Sequence, residues 1–206
     1  MGLVGLLSDM LADRKVRRLL RTAPAATLDA LAENTFACVN GSVEMLNARA
    51  LEAPLSGRLC AYYSIVILAR YRGTAEELGS EQEGIPFVLR DGASAAIIDP
   101  AHATISSGFD HKVDLPSSDV ADERQRALMV RHPRTRWAPG ELLLREAILG
   151  IGVRIAVYGA AMREPVPDAA LDTAEHGYRD GGATRLRFTG TARFPLVLSD
   201  DPKSVR

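Results

Sequence analysis

Leu51 to Gly73 reads LEAPLSGRLCAYYSIVILARYRG, and Gly84 to Pro100 reads GIPFVLRDGASAAIIDP. These two stretches decide the fold class. Ala53-Pro54-Leu55-Ser56-Gly57 has the composition of a turn, because proline fixes φ and glycine tolerates positive φ. The Ser56 hydroxyl is expected to bond nearby backbone, as turn serines do. From Leu59 to Tyr71 the chain is dense in Tyr, Ile, Val and Leu and lacks Pro and Gly, which predicts a long strand. Alternation fails at Ile65-Val66-Ile67-Leu68, so both faces are expected to be covered there. Gly73 to Gly84 holds four glutamates and three glycines and reads as an exposed loop. Phe87-Val88-Leu89, the tight-turn pair Asp91-Gly92, and Ala95-Ala96-Ile97-Ile98 predict a hairpin, which Asp99-Pro100 closes.

Outward from this unit the chain continues in short apolar runs. Phe36 to Val39 and Val43 to Leu46 form a first strand with a bulge or bend at Gly41. Ala103 to Ser106 and Lys112 to Leu115 are weak strands, and Pro116 to Asp122 is a polar loop. Arg124 to His132 fits either a strand or a helical turn, and Glu141 to Ile151 taken alone fits a helix. Val153 to Tyr158, Thr184 to Gly190 and Phe194 to Leu198 are strands, with a long loop from Pro165 to Gly182. Asp200 to Arg206 is a polar tail expected to fray. The fold class is mainly β: a partly open, OB-like barrel or a sandwich, preceded by an amphipathic helix. The expected division is a helical segment over 1–33, a β domain over 34–200 and a tail over 201–206.

That first helix spans Leu3 to Arg21. Leu3, Leu6, Leu7, Met10, Leu11, Val16, Leu19 and Leu20 recur near helical spacing, and Arg14, Lys15, Arg17, Arg18 and Arg21 gather in the second half. Two readings compete. The helix packs on its own domain or on a second copy of the chain, or it lies against a membrane surface or partner. The sequence has no apolar run of the roughly 20 residues a membrane span needs, and its start lacks the basic region of a signal peptide. The expectation is a cytoplasmic protein, with peripheral membrane contact through residues 3–21 as the alternative. The net charge of −1 over 206 residues gives no global field for nucleic acid or anionic lipid. Cys38 and Cys60 are the two cysteines and read as buried thiols.

The turn Ala53-Pro54-x-Ser56-Gly57, then Cys60 and Tyr62-Tyr63 on a long strand, then Pro86-Phe87-x-Leu89-x-Asp91-Gly92 and a strand ending in Asp99-Pro100 form an ordered series. The series resembles the BAM ("beside a membrane") domain of the GIDE family of E3 ubiquitin ligases. Weaker matches at Glu141 to Gly159 and Phe194 to Asp200 extend the resemblance over about Thr35 to Asp200. It implies that Glu141 to Ile151 is a strand and that the domain works against a membrane or a protein. Ligase activity does not carry over, because a RING finger needs about eight Cys and His ligands and this chain has two Cys.

Candidate sites are few. Arg131, His132, Arg134, Arg136 and Trp137 place basic groups beside an aromatic ring, a pattern for phosphate or single-stranded nucleic acid on an OB-like barrel. Tyr62 and Tyr63 are adjacent on a strand and so face opposite ways; the exposed one joins the loops Gly73 to Gly84 and Pro165 to Gly182 in an expected partner face. Asp99, His102, Asp110, His111 and Asp114 form a loose acidic-histidine group across one hairpin, from which Asp99, His102 and His111 could serve a metal-dependent hydrolase. No phosphate-binding loop, dinucleotide fingerprint or G-x-S-x-G surrounds any nucleophile. The expectation is a binding or scaffolding domain without a cofactor, acting on an unidentified protein partner, with nucleic acid as the lesser alternative.

Overall fold

The structure, a computed structural model, describes residues 15–165, 184–191 and 195–205. Residues 15–22 are helical (α1). The strands in chain order are β1 (Phe36–Met45), β2 (Leu51–Glu52), β3 (Leu59–Tyr71), β4 (Thr74–Gly84), β5 (Phe87–Asp91), β6 (Ser94–Asp99), β7 (Ala103–Ser106) and β8 (His111–Leu115). After the helix α2 (Glu123–Arg131) come β9 (Glu141–Gly150), β10 (Arg154–Pro165), β11 (Thr184–Thr189) and β12 (Leu196–Ser199).

Two sheets result. In the first, β1, β5, β6, β11 and β10 are hydrogen-bonded in that order, and β10 returns to β1. The ring is therefore a closed five-stranded barrel. All its pairings are antiparallel except β6 with β11. This connectivity makes a Greek-key barrel of OB-like type, closed rather than partly open. Outside the ring, β10 also carries β12, which pairs in parallel with β7. The second sheet is a half-barrel ordered β4–β3–β9–β8, with the short β2 beside the start of β3.

Period-two alternation explains how each strand serves its sheet. Phe87 and Leu89, Ala96 and Ile98, Ile155 and Val157, and Leu186 and Phe188 point into the barrel, with Leu28 and Leu31 in the same core. Burial of either Phe87 or Phe188 contributes about 1.5–3 kcal/mol. The half-barrel has a second core of Ile65, Ile67, Leu142 and Leu144, packed against Leu128 and Met129 of α2. The two faces expected to be covered at residues 65–68 are covered unequally: Ile65 and Ile67 are buried, Val66 and Leu68 are half-buried, and the β3–β4 register shifts between Ile67 and Leu68. On the outer wall of the barrel, Val16 and Leu20 of α1 pack on Cys38, Ala156 and Val197.

Several expectations need correction. Gly73 to Gly84 is not a loop: Thr74–Gly84 pairs with β3 from Tyr71↔Thr74 to Tyr62↔Gly84. Glu76, Glu77 and Glu83 are exposed on this edge strand, where charge discourages pairing with another chain, while Glu81, opposite Ile65, is half-buried. No bulge occurs at Gly41, which pairs with Ile155 in an unbroken register. Two readings left open are decided: Glu123–Arg131 is a helix capped at His132, and Glu141–Gly150 is the strand that the resemblance implies rather than a helix, because β3 and β8 both pair with it. The strand expected over Val153 to Tyr158 begins at Arg154 and runs on through Gly159 to Pro165. The tail does not fray: Ser204 is buried, Val205 joins the α1 core and Arg17 reaches Asp201 at 2.9 Å. The loop expected at Pro165 to Gly182 lies, after Pro165, outside the described residues, as do residues 3–14 of the predicted first helix.

Candidate functional site

The basic and aromatic residues singled out from the sequence sit at the end of α2. Asp122 begins that helix with a capping box: its carboxylate accepts from the Gln125 N–H at 2.8 Å, and the Gln125 side chain accepts from the Asp122 N–H at 2.9 Å. Gln125, Leu128 and Met129 face the half-barrel. Pro133 ends the helix and starts a 3-10 turn, Pro133–Trp137. Thr135 is buried there, and its hydroxyl donates to the His132 carbonyl at 2.8 Å.

The arginines of this segment divide into two groups. Arg131 grips Glu81 of β4 with two nitrogens, at 2.8 and 3.1 Å, and His132 Nε2 lies 3.0 Å from the same carboxylate. Burial would raise the Glu81 carboxyl, but the Arg131 and His132 hydrogen bonds outweigh it and hold it below its ordinary range. Arg134 binds Glu76 at 2.7 Å, and Arg124 binds Glu52 at 2.5 Å. Gly79 matters at this junction: a Cβ there would stand 2.5 Å from His132 Nδ1, so only glycine lets the imidazole lie on β4. Arg126 and Arg136 form the second group. Arg126 donates to the Ala121 carbonyl, and the Arg136 guanidinium carbon lies 5.3 Å from the Trp137 ring centroid. Neither has a carboxylate within ion-pair distance among the described residues.

Arg126 and Arg136 flank a groove of about 500 Å³ lined also by Met129, Val130, Pro133 and Thr135. Val130 is 79% exposed and Trp137 80%. Their position follows from the sequence: the helix buries one face, and the 3-10 turn rotates Trp137 away from the sheet.

The remaining sequence candidates are placed elsewhere. Tyr62 is buried and donates to Gln82 at 3.0 Å; Tyr63 is half-buried and donates to Glu83 at 3.0 Å. Burial, reinforced by that glutamate, pushes the Tyr63 phenol up to about 12. The more exposed ring of the pair is therefore that of Tyr63. The acidic-histidine group does not assemble. Asp99 pairs with Arg187 at 2.8 Å, Asp110 with Arg58 at 2.7 and 2.9 Å, and Asp114 with Arg145 at 2.6 Å. Among the described residues no three His, Cys, Asp or Glu side chains are grouped as metal ligands. Among the same residues no helix is long and apolar enough to cross a membrane.

The motif residues are turn and cap residues. Gly57 adopts φ +72°, Gly92 turns the β5–β6 hairpin at φ +59°, and Asp99 Oδ1 accepts from Ala101 N–H where Pro100 opens a 3-10 turn. Pro86 leads into β5. Cys60 is a buried free thiol that burial, with the Glu146 charge beside it, pushes up to about 11. Ser56 uses its hydroxyl differently from the expectation, accepting from Arg58 Nε at 3.1 Å.

One residue was missed by the sequence reading. Glu146 is wholly buried on β9, and its carboxylate accepts from the backbone N–H of Leu55 at 2.7 Å and of Ser56 at 3.2 Å. It fastens the Pro54 turn to the sheet. A signal was present: Glu146 falls on the face shared by Leu142, Leu144 and Ile148, where a charge requires a partner. No family model matches the chain, no curated protein matches its sequence, and no solved structure matches it.

Proposed function

We propose that this domain is a non-catalytic protein-binding module whose contact surface is the outer face of α2 and the 3-10 turn that follows it. The observation that carries the reading is the pair Trp137 and Val130, at 80% and 79% exposure on rigidly anchored backbone. Tryptophan and arginine are the residues that most often dominate binding energy at protein interfaces. An apolar group held in water by a capped helix and a buried threonine has a low ordering cost when a partner covers it. The BAM resemblance implies the same kind of role, a domain that works through its surface.

The nucleic-acid alternative has less support. A single strand on an OB-like barrel is held by stacking on aromatic rings. The outward positions of β5 and β6 are Val88, Arg90, Ala95 and Ile97, without a ring among them. Arg90 is paired with Glu44 at 2.9 Å, and Arg131 and Arg134 are neutralised by β4.

The test is affinity capture from the native cell with the wild-type chain and the double variant Trp137→Ala, Val130→Ser. At least one protein is expected to be retained by the wild type and lost by the variant. Identical captured sets would remove the assignment. Sedimentation of the wild type with anionic vesicles, unaffected by the double variant, would move the function to the membrane-surface reading, for which Lys15 and Arg18 on the exposed side of α1 are the support.

A further inference from the structure

Resting on the protein-binding reading, we infer that the groove beside α2 takes an acidic peptide segment with an apolar anchor: a side chain such as Leu or Phe seated on Met129 and Val130, with carboxylates on either side meeting Arg126 and Arg136. The argument is one of charge complementarity. Five arginines lie along α2 and its 3-10 turn: Arg124, Arg126, Arg131, Arg134 and Arg136. The three directed at neighbouring elements are each matched by a carboxylate, Glu52, Glu81 and Glu76. The two that line the groove are not matched among the described residues. The chain as a whole is near neutral, with 26 acidic against 25 basic residues, so the positive rim of this groove is a feature of its own residues.

The floor between the two arginines is apolar. Met129 is almost fully buried while Val130 stands open, so the groove offers a seat for one side chain rather than a channel for a ligand. Arg136 is already oriented by the Trp137 ring, and Arg126 by the Ala121 carbonyl. Both guanidiniums are thus held in place before a ligand arrives, which lowers the ordering cost of binding. Opposed charges at the rim would set orientation and speed encounter, and the apolar anchor would supply the retention.

The experiment is selection of a displayed random 12-residue peptide library on the full chain, followed by affinity measurement of the winning peptides by fluorescence polarisation. Each is measured against wild type, Arg126→Glu/Arg136→Glu and Val130→Ser/Trp137→Ala, all checked for native circular dichroism. The expected winners carry Asp or Glu on both sides of a Leu, Phe or Trp. Their affinity falls at least tenfold on charge reversal and weakens as salt is raised. Winners that depend on Val130 and Trp137 but show neither acidic enrichment nor sensitivity to charge reversal would overturn this inference and leave the protein-binding reading standing. Winners insensitive to both double variants would overturn both. Displacement of the winners by a 16-residue oligothymidine of tighter affinity would overturn the inference in favour of single-stranded nucleic acid.

Discussion

Glu146 shows how much one side chain decides here. A carboxylate in an apolar sheet face is unfavourable alone, yet this one accepts two backbone N–H groups and has Arg58 Nη2 at 3.8 Å. Its removal would strand the Leu55 and Ser56 N–H groups as well as leave a cavity. Glu146→Ala is therefore expected to cost about 3 kcal/mol, in the range for breaking a buried charged hydrogen-bond set. Glu146→Gln keeps the volume and one acceptor and is expected to cost about half as much. Urea unfolding followed by circular dichroism measures both; an alanine variant within about 1 kcal/mol of wild type would show that the turn holds itself. The turn was legible from Pro54 and Gly57, since those residues act through local dihedral preferences. Its fastening was not, because Glu146 lies about ninety positions further along the chain and a single sequence does not pair distant residues. The same applies to Ser56, whose composition announced a turn but not which group its hydroxyl would meet.

At the scale of elements, β4 is the segment that sequence reading placed in the wrong class. Its composition is that of a loop, and what makes it a strand is the ten-residue ladder with β3. Edge strands are paired on one side only, so their sequences carry little of the apolar alternation that identifies central strands. Its glutamates have a further task, since Glu76 and Glu81 hold the end of α2 through Arg134 and Arg131. Glu81 is held below the ordinary carboxylate range in the folded chain. Its contribution to stability is thus present above the unfolded-state value, about pH 4.3, and is lost as pH falls through the lower folded value. Glu81→Gln should lower the melting temperature at pH 7 by a few degrees, and the gap to wild type should close as the pH drops below about 4. Thermal melts at pH 7, 5 and 3 test this; a gap constant across that range would mean that the carboxylate charge contributes nothing. The central hairpin β5–β6 was read correctly for the opposite reason: Asp91-Gly92 between two short apolar runs states the turn and both strands within thirteen residues.

For the whole molecule, the mainly β class and the barrel follow from many short apolar runs between turn residues, but closure does not. The ring closes where β6 meets β11 in parallel, with Leu186 beside Ala96. Between them in sequence lies the half-barrel's β8, α2 and β9. A local pattern cannot announce that a second sheet is threaded through the connections of the first. The two ends of the described chain meet in a comparable way. α1 covers the outer positions Cys38, Ala156 and Val197 with Val16 and Leu20, and Val205 completes that cluster from the other end of the sequence. Arg17 joins Asp201 beside it, while the Ser204 and Val205 N–H groups bond back to the Asp201 carbonyl at 2.8 and 3.1 Å. Residues 201–205 therefore act as a clasp on α1, although their composition is that of a solvated tail. A chain ended at Asp200 loses the Val205 contact and the ion pair but none of the barrel ladder. Hydrogen exchange should then show amides of residues 19–22 losing at least tenfold in protection, while β5 and β6 keep theirs, because α1 opens as a local unit. If protection in α1 is unchanged, Val16 and Leu20 alone anchor the helix; if β5 and β6 lose protection in parallel, the clasp belongs to the global fold and α1 is no separate unit.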